Sequence, residues 1–379
     1  MGNFQMATKI FEGKGAIDEL KTIPMHRVLV ICDPFMEKSH KVELVTDRLA
    51  ENDEKYLVFA EVVPDPTIDV VAKGIIEALR IKPDMLIALG GGSAMDTAKA
   101  VRHIYSAISG AENIGMICIP TTSGTGSEVT SFVVITDPKA QTKYALIDPS
   151  LIPDYAILDS TFTVSVPAGI TADTGMDVLT HTLEAYVSTA ASDFTDACAE
   201  KAMKIVWENL ENVVKDGQNE ELRGKVHNAS CLAGIAFNEA SLGICHSLAH
   251  ALGGKFHIPH GKANALLLPH VILYNAGLDV SEDLPALEKY EKAARMLGIQ
   301  AGTKRATVHG LIANIHRKMQ RMNIPKYITD CGVNEEEYLA AIPEMAQKAL
   351  ADRCTATNPR PVDEKALEEL YKSLCRGGS

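Results

Sequence analysis

Residues 84–100 read DMLIALGGGSAMDTAKA. Met85–Leu89 is a continuous apolar run, as a parallel strand covered on both faces requires, and Gly90, Gly91, Gly92 and Ser93 join it directly to a helical pattern. Glycines at a strand-to-helix turn let the backbone approach a phosphate, and the helix N-terminus offers unpaired N–H groups with a partial positive charge. Asp96 falls in the first turn of that helix, where it can steady the dipole or bond a ligand hydroxyl. The bland alternative is a tight turn that binds nothing. The spacing is not the GxGxxG dinucleotide fingerprint.

Outward from this turn, strands and helices alternate. Upstream lie the strand RVLVICD, the helical pattern VELVTDRLAEN, the strand KYLVFAEV and, after PDPT, the helical pattern IDVVAKGIIEALRIK. Downstream the apolar run GMICIP ends in TTSGTGSEVT. Such alternation predicts a Rossmann-like parallel sheet with helices on both faces, binding its ligand at the carboxyl ends of the strands. Asp33 closes the first of these strands. An acid there can accept from ribose hydroxyls and repel the extra phosphate of NADP, although aspartate often simply ends a strand. The hydroxyl-rich loop Thr121–Thr130 suits a pyrophosphate wall or is a flexible surface loop. Lys143, on the strand-like TKYALID, is by itself an ordinary edge residue.

Near Pro167 the character changes to long helical patterns. We expect an α/β dinucleotide-binding domain over 1–167 and an all-helical metal-binding domain over 168–379. Asp177 and His181 are four apart on one such helix, hence about 40° apart on one face and able to share an ion or to bond each other. His246 and His250 repeat the spacing; GGKF is expected to break their helix, and the loop HIPHG brings His257 and His260. Five of the twelve histidines lie between Cys245 and His270. An acid with three neutral imidazoles suits Zn²⁺ or Fe²⁺, but five histidines compete for three places and spacing does not choose.

Composition narrows the class. A net charge of −12 opposes nucleic acid or an anionic membrane as the main partner. No run of about 18 apolar residues and no secretory h-region is present. Eight cysteines without a CxxC pair suit reduced thiols in the cytoplasm.

Four stretches, GGGSAMDTAKA, IPTTSGTGSEVT, GMDVLTHTLEAYVS and CHSLAHALGGKFHIPHGKANALLLPH, resemble the iron-containing (group III) alcohol dehydrogenases. ASDFTDA and HNASCLAGIAF look most similar to the members found in bacterial propanediol-utilisation microcompartments. The resemblance implies Asp177, His181, His246 and His260 as ligands of Fe²⁺ (or Zn²⁺), with His250 beside the metal as a proton-relay histidine. It also implies NAD(H) on Asp33, Gly90, Gly91, Gly92, Ser93, Asp96, Thr121, Thr122, Thr125, Ser127 and Lys143. The expected activity is interconversion of a short primary alcohol and its aldehyde, propanal and 1-propanol or acetaldehyde and ethanol, with reduction favoured. The expected form is a cytoplasmic homodimer, with microcompartment shell or cargo proteins as further partners. Glycerol-dehydrogenase-like or lactaldehyde/1,2-propanediol activity, a dehydroquinate-synthase-like lyase, and a metal-storing or scaffolding protein compete with this expectation.

Overall fold

The computed structural model describes residues 4–111, 113–138 and 142–376, except the side chains of Thr142 and Lys143. The chain divides into two compact units. A sheet unit comprises Gln5–Val166 and Gln218–Gly234; a helical unit comprises Pro167–Gly217 and the described part of Ile235–Ser379, with Phe4.

The strands are β1 (Lys9–Glu12), β2 (Arg27–Cys32), β3 (Lys55–Phe59), β4 (Met85–Gly90), β5 (Gly115–Pro120), β6 (Phe132–Asp137), β7 (Thr142–Ile147) and β8 (Tyr155–Leu158). The helices of the first half are α1 (Pro34–Lys38), α2 (Glu43–Glu51), α3 (Ile68–Ile81) and α4 (Gly92–Ser109). Six strands form one parallel sheet in the order β1-β8-β5-β4-β2-β3. The strand expected at TKYALID is present as β7, paired antiparallel with β6 outside that sheet. Successive residues of the central strands feed opposite cores. Leu29, Ile31, Leu86 and Ala88 pack with residues of α3 and α4, whereas Val28, Val30, Ile87 and Leu89 pack with Val45 and Leu49 of α2. Both faces being covered, the alternation never reaches a polar residue, which is why these strands read as unbroken apolar runs.

The strand order fixes where a ligand belongs. From β2 the chain moves outward to β3, then returns to β4 on the other side of β2, with Cys32 beside Leu89. The crevice at such a reversal lies beyond the carboxyl ends of the two strands. Here those ends carry Asp33 and the three glycines.

In the loop that follows β5, Glu128 is 1% exposed and its Oε2 has no hydrogen-bond partner. Burial pushes its carboxyl up to about 7, against the opposing pull of its own N–H and Lys99. A carboxyl raised in the folded state costs no stability while both states are protonated. It costs progressively more as pH rises through the unfolded value of 4.5, and the loss levels off above about 7. Glu128→Gln should therefore gain stability relative to the parent protein between pH 5 and 8, by on the order of 2 kcal/mol. Thermal midpoints across that range test it: a constant difference at all pH values refutes the assignment.

The later helices are α5 (Ala168–Val187), α6 (Asp193–Lys215), α7 (Glu220–Ala240), α8 (Ile244–Phe256), α9 (His260–Asn275), α10 (Pro285–Met296), α11 (Lys304–Arg321), α12 (Glu335–Ala351) and α13 (Glu364–Lys372). Residues 218–234, placed with the helical half by sequence, group with the sheet unit because most of α7 bonds there. Arg223 donates to the Val166 carbonyl, Asn228 to Glu12, and His227 Nδ1 lies 2.9 Å from Ser123 Oγ. GGKF does not break α8, which continues to Phe256 and stops at His257 in the left-handed region, φ 54°. Two adjacent glycines cost a helix roughly 1 kcal/mol each, which packing can absorb. In the helical unit α5 packs against α6, α9 and α10, and α8 against α9 and α12. Among the described residues no helix is long and apolar enough to cross a membrane.

Candidate metal centre and nucleotide-binding turn

Three helices bring four ligand-type side chains together. Asp177 and His181 lie on α5, His246 on the first turn of α8, and His260 opens α9. One ligand atom from each lies within 4.8 Å of all the others. Asp177 Oδ1 is 3.7 Å from His246 Nε2 and 3.6 Å from His260 Nε2. Donors at 2.0–2.2 Å from one tetrahedral ion would stand about 3.4 Å apart, close to these separations. The approach of α9 to α5 depends on Gly261, where a Cβ would lie 2.2 Å from the Asp173 carbonyl oxygen. That is the physical reason for glycine directly after His260.

The electrostatics suit a cation. Burial drives His181 down to about 3 and His246 well below its usual value, so both are neutral imidazoles with a lone pair to give. Burial raises the Asp177 carboxyl, only partly offset by His181 and by the amide of Asn264. A buried acceptor cluster of this kind lacks positive charge, and a divalent cation supplies it. Two orphaned atoms mark the same place: His181 Nδ1 and Asn264 Oδ1 are buried without hydrogen-bond partners. The residues therefore fit a divalent metal. His260, with 42% of its side chain exposed, leaves one side of the group accessible.

The sequence reading missed the groups that hold these side chains. Glu184 Oε1 accepts the Cys245 N–H at 2.7 Å at the start of α8, and its Oε2 meets His246 Nδ1. A carboxylate only accepts, so the proton of His246 sits on Nδ1 and Nε2 faces the cluster. Asn264 Nδ2 donates to Asp177 Oδ1 at 2.7 Å and lies 3.2 Å from both His246 Nε2 and His260 Nε2. Glu184 was legible: residues 177, 181 and 184 follow the i, i+4, i+7 pattern of one helix face. His250, one turn beyond His246, stacks on His260 with centroids 5.3 Å apart. The other two histidines of the crowded stretch stand elsewhere: His257 caps α8, and His270 faces His316.

In the sheet unit the glycine turn meets the second loop. Gly90 has φ 154°, and a Cβ there would come within 2.7 Å of Ala94 Cβ. A Cβ on Gly91 would lie 3.1 Å from Thr122 Oγ1, and one on Gly92 would lie 3.0 Å from Thr125 Cγ2. Thr121 N–H donates to the Gly90 carbonyl at 3.0 Å. Asp33 Oδ1 caps α1 by accepting from Phe35 N–H at 2.8 Å and Met36 N–H at 3.3 Å, and its Oδ2 is directed toward Gly90. Ser93 stands in the first turn of α4. Asp33, Gly90–Ser93, Thr121, Thr122 and Thr125 thus surround one place.

Asp96 and Ser127 differ from the expectation that they face a ligand. Ser127 Oγ donates to Asp96 Oδ1 at 3.3 Å and accepts from Lys99 Nζ at 3.0 Å, while Val134 N–H donates to Asp96 Oδ2 at 3.1 Å. Burial pushes Asp96 up to about 6 despite Lys99, Val134 and Ser127. Their polar atoms serve to lock α4 against the loop and β6. The Lys143 side chain lies outside the described residues.

Two family models match the chain. The one described as iron-containing alcohol dehydrogenase covers residues 7–160, and the one described as Fe-containing alcohol dehydrogenase family, C-terminal, covers 171–375. The chain is 46% identical to 1-propanol dehydrogenase PduQ of Citrobacter freundii over 99% of this chain and 100% of that protein. Among solved structures, 1,3-propanediol oxidoreductase superposes with a TM-score of 0.90 at 31% identity, covering 99% of this chain and 100% of that one. Sulfoacetaldehyde reductase from Bifidobacterium kashiwanohense, in complex with NAD+, gives 0.88 at 28% identity, over 100% and 99% of the two chains.

Proposed function

Because this chain belongs to the iron-containing alcohol dehydrogenase family, we propose that it reduces a short aliphatic aldehyde, propanal foremost, to the primary alcohol with NADH. The observation that carries the reading is the convergence of Asp177, His181, His246 and His260 in a chain similar end to end to a 1-propanol dehydrogenase. Asp177, His181, His246 and His260 would hold a ferrous ion, which would supply a Lewis acid able to polarise a carbonyl and lower the pKa of an alcohol. As ligands, three imidazoles and one carboxylate would leave a divalent ion a net charge of +1, a setting that would favour negative charge on the substrate oxygen. Glu184 and Asn264 fix the orientation of His246 and Asp177 before any ligand arrives, so no reorganisation is needed during reaction.

His250, next to the cluster and half exposed, takes the proton of the alcohol in the oxidative direction and returns it in the reductive one. Asp33, the glycine turn of Gly90–Ser93 and Thr121, Thr122 and Thr125 bind the dinucleotide, with the N-terminus of α4 toward its pyrophosphate. Asp96, Ser127 and Lys143 complete the cofactor side in this reading, the first two by setting the loop. The reading includes a cytoplasmic homodimer and, on the resemblance carried by ASDFTDA and HNASCLAGIAF, association with microcompartment shell or cargo proteins.

The test is NADH oxidation by anaerobically purified, iron-loaded protein with propanal, acetaldehyde, butanal and lactaldehyde, and NAD+ reduction with glycerol and the two propanediols. Propanal is expected to give the highest kcat/KM. A preference for a diol, the competing substrate class suggested by the 1,3-propanediol oxidoreductase likeness, would overturn the substrate assignment.

A further inference from the structure

Asp352 lies between α12 and a short 3-10 helix, 102 residues from His250 in sequence. Its two oxygens do different work. Oδ1 accepts from Cys354 N–H at 2.9 Å and from Ser247 Oγ at 3.4 Å; Oδ2 lies 2.9 Å from His250 Nδ1. Ser247 is itself held, since Thr355 Oγ1 donates to it at 2.8 Å. The carboxylate is thus fixed from one side and addresses His250 from the other.

An ionised carboxylate only accepts, so Nδ1 of a neutral His250 must carry the proton. We propose that Asp352 is the positioning residue that locks His250 in the Nδ1–H form, so that Nε2 presents its lone pair to the alcohol proton. The inference rests on the reading of His250 as the proton acceptor. One carboxylate orienting one imidazole in this way lets the ring take a proton without first exchanging tautomers, and stabilises the imidazolium that results.

The two oxygens make the test selective. In Asp352→Asn the amide oxygen keeps the Cys354 and Ser247 donors, so the NH2 group is turned to His250 Nδ1. It can only donate there, which places the histidine proton on Nε2 and removes the acceptor. In Asp352→Ala both tautomers are accessible, but the cap of the 3-10 helix is lost. We expect kcat for alcohol oxidation to fall roughly 100-fold in Asp352→Asn and roughly 10-fold in Asp352→Ala. KM for NAD+ and bound metal should be unchanged.

A purely structural role gives the reverse order, because asparagine still caps, and that order would overturn the proposal. The double variant His250→Ala/Asp352→Asn should be no slower than His250→Ala; additive losses also count against it. Nitrogen-15 NMR of labelled histidine in the zinc-loaded protein should show His250 protonated at Nδ1 in the parent and at Nε2 in Asp352→Asn. An unchanged spectrum refutes the inference. If His250→Ala keeps its kcat, the proton-acceptor reading falls, while the NMR comparison still decides whether Asp352 sets the tautomer.

Discussion

His260→Ala is expected to purify with little bound iron and to lose propanal-dependent NADH oxidation by roughly a thousandfold or more. The size follows from what the cation contributes: several kcal/mol of charge stabilisation in the transition state, at 1.36 kcal/mol per tenfold in rate. His260 is the informative ligand because 42% of its side chain is exposed. Truncating it leaves no large internal cavity, so a folded but metal-poor protein is the expected product. Circular dichroism should match the parent. Asp177 is less clean: it is 4% exposed, and Asp177→Asn changes the charge of the site as well as a ligand.

Glu184→Gln should act at one remove, lowering metal affinity by roughly 10- to 100-fold, as outer partners of ligating histidines do. Chelator competition orders the series, with His260→Ala weakest, Glu184→Gln intermediate and the parent tightest. A bound ion stabilises the folded state by mass action, so added Fe²⁺ or Zn²⁺ should raise the thermal midpoint of the parent and barely move that of His260→Ala. Full metal content with normal turnover in His260→Ala would refute the ligand assignment.

How far the chain could be read before its structure depended on the range of each signal. The strands β2, β4 and β5 were legible because burial on both faces leaves continuous apolar runs, and α3 because its apolar residues recur at helical spacing. The edge strand β1, KIFE, and its neighbour β8, YAIL, were not. At four residues each they carry no periodicity to count, and β1 is not fully buried. The Asp177/His181 pair follows from helix geometry alone. The choice of His246 and His260 over their neighbours does not, because it depends on how α8 and α9 are docked onto α5. Asp352 gave no local signal at all: its partner is 102 residues away, and only tertiary packing joins them. Asp96 illustrates the opposite case, since an acid shortly after a glycine turn resembles a ligand-binding group and is here bonded to Ser127 and Val134.

Asp33→Ser is expected to raise the preference for NADPH over NADH by roughly a hundredfold, measured as the ratio of kcat/KM values with propanal. The carboxylate stands where the strand order reverses, directed toward the glycine turn that would receive the pyrophosphate. There it can accept from the ribose hydroxyls of NADH, and hydrogen bonds to a charged group contribute about 1.5–3 kcal/mol. With NADPH the same carboxylate meets a phosphate of nearly two negative charges, a repulsion of about 1 kcal/mol per charge pair at 4 Å even in water. The two terms together amount to about 3.5–5 kcal/mol, so even partial compensation by solvent leaves a hundredfold.

Serine is the necessary replacement because Asp33 has a second role, capping α1 through Phe35 and Met36 N–H. Serine caps nearly as well as aspartate, so the helix and the turn should persist. If Asp33 merely ends a strand and caps a helix, Asp33→Ser will leave both cofactors as they were. If it reads the ribose, NADH utilisation will fall while NADPH utilisation rises, and only a change in opposite directions distinguishes recognition from damage.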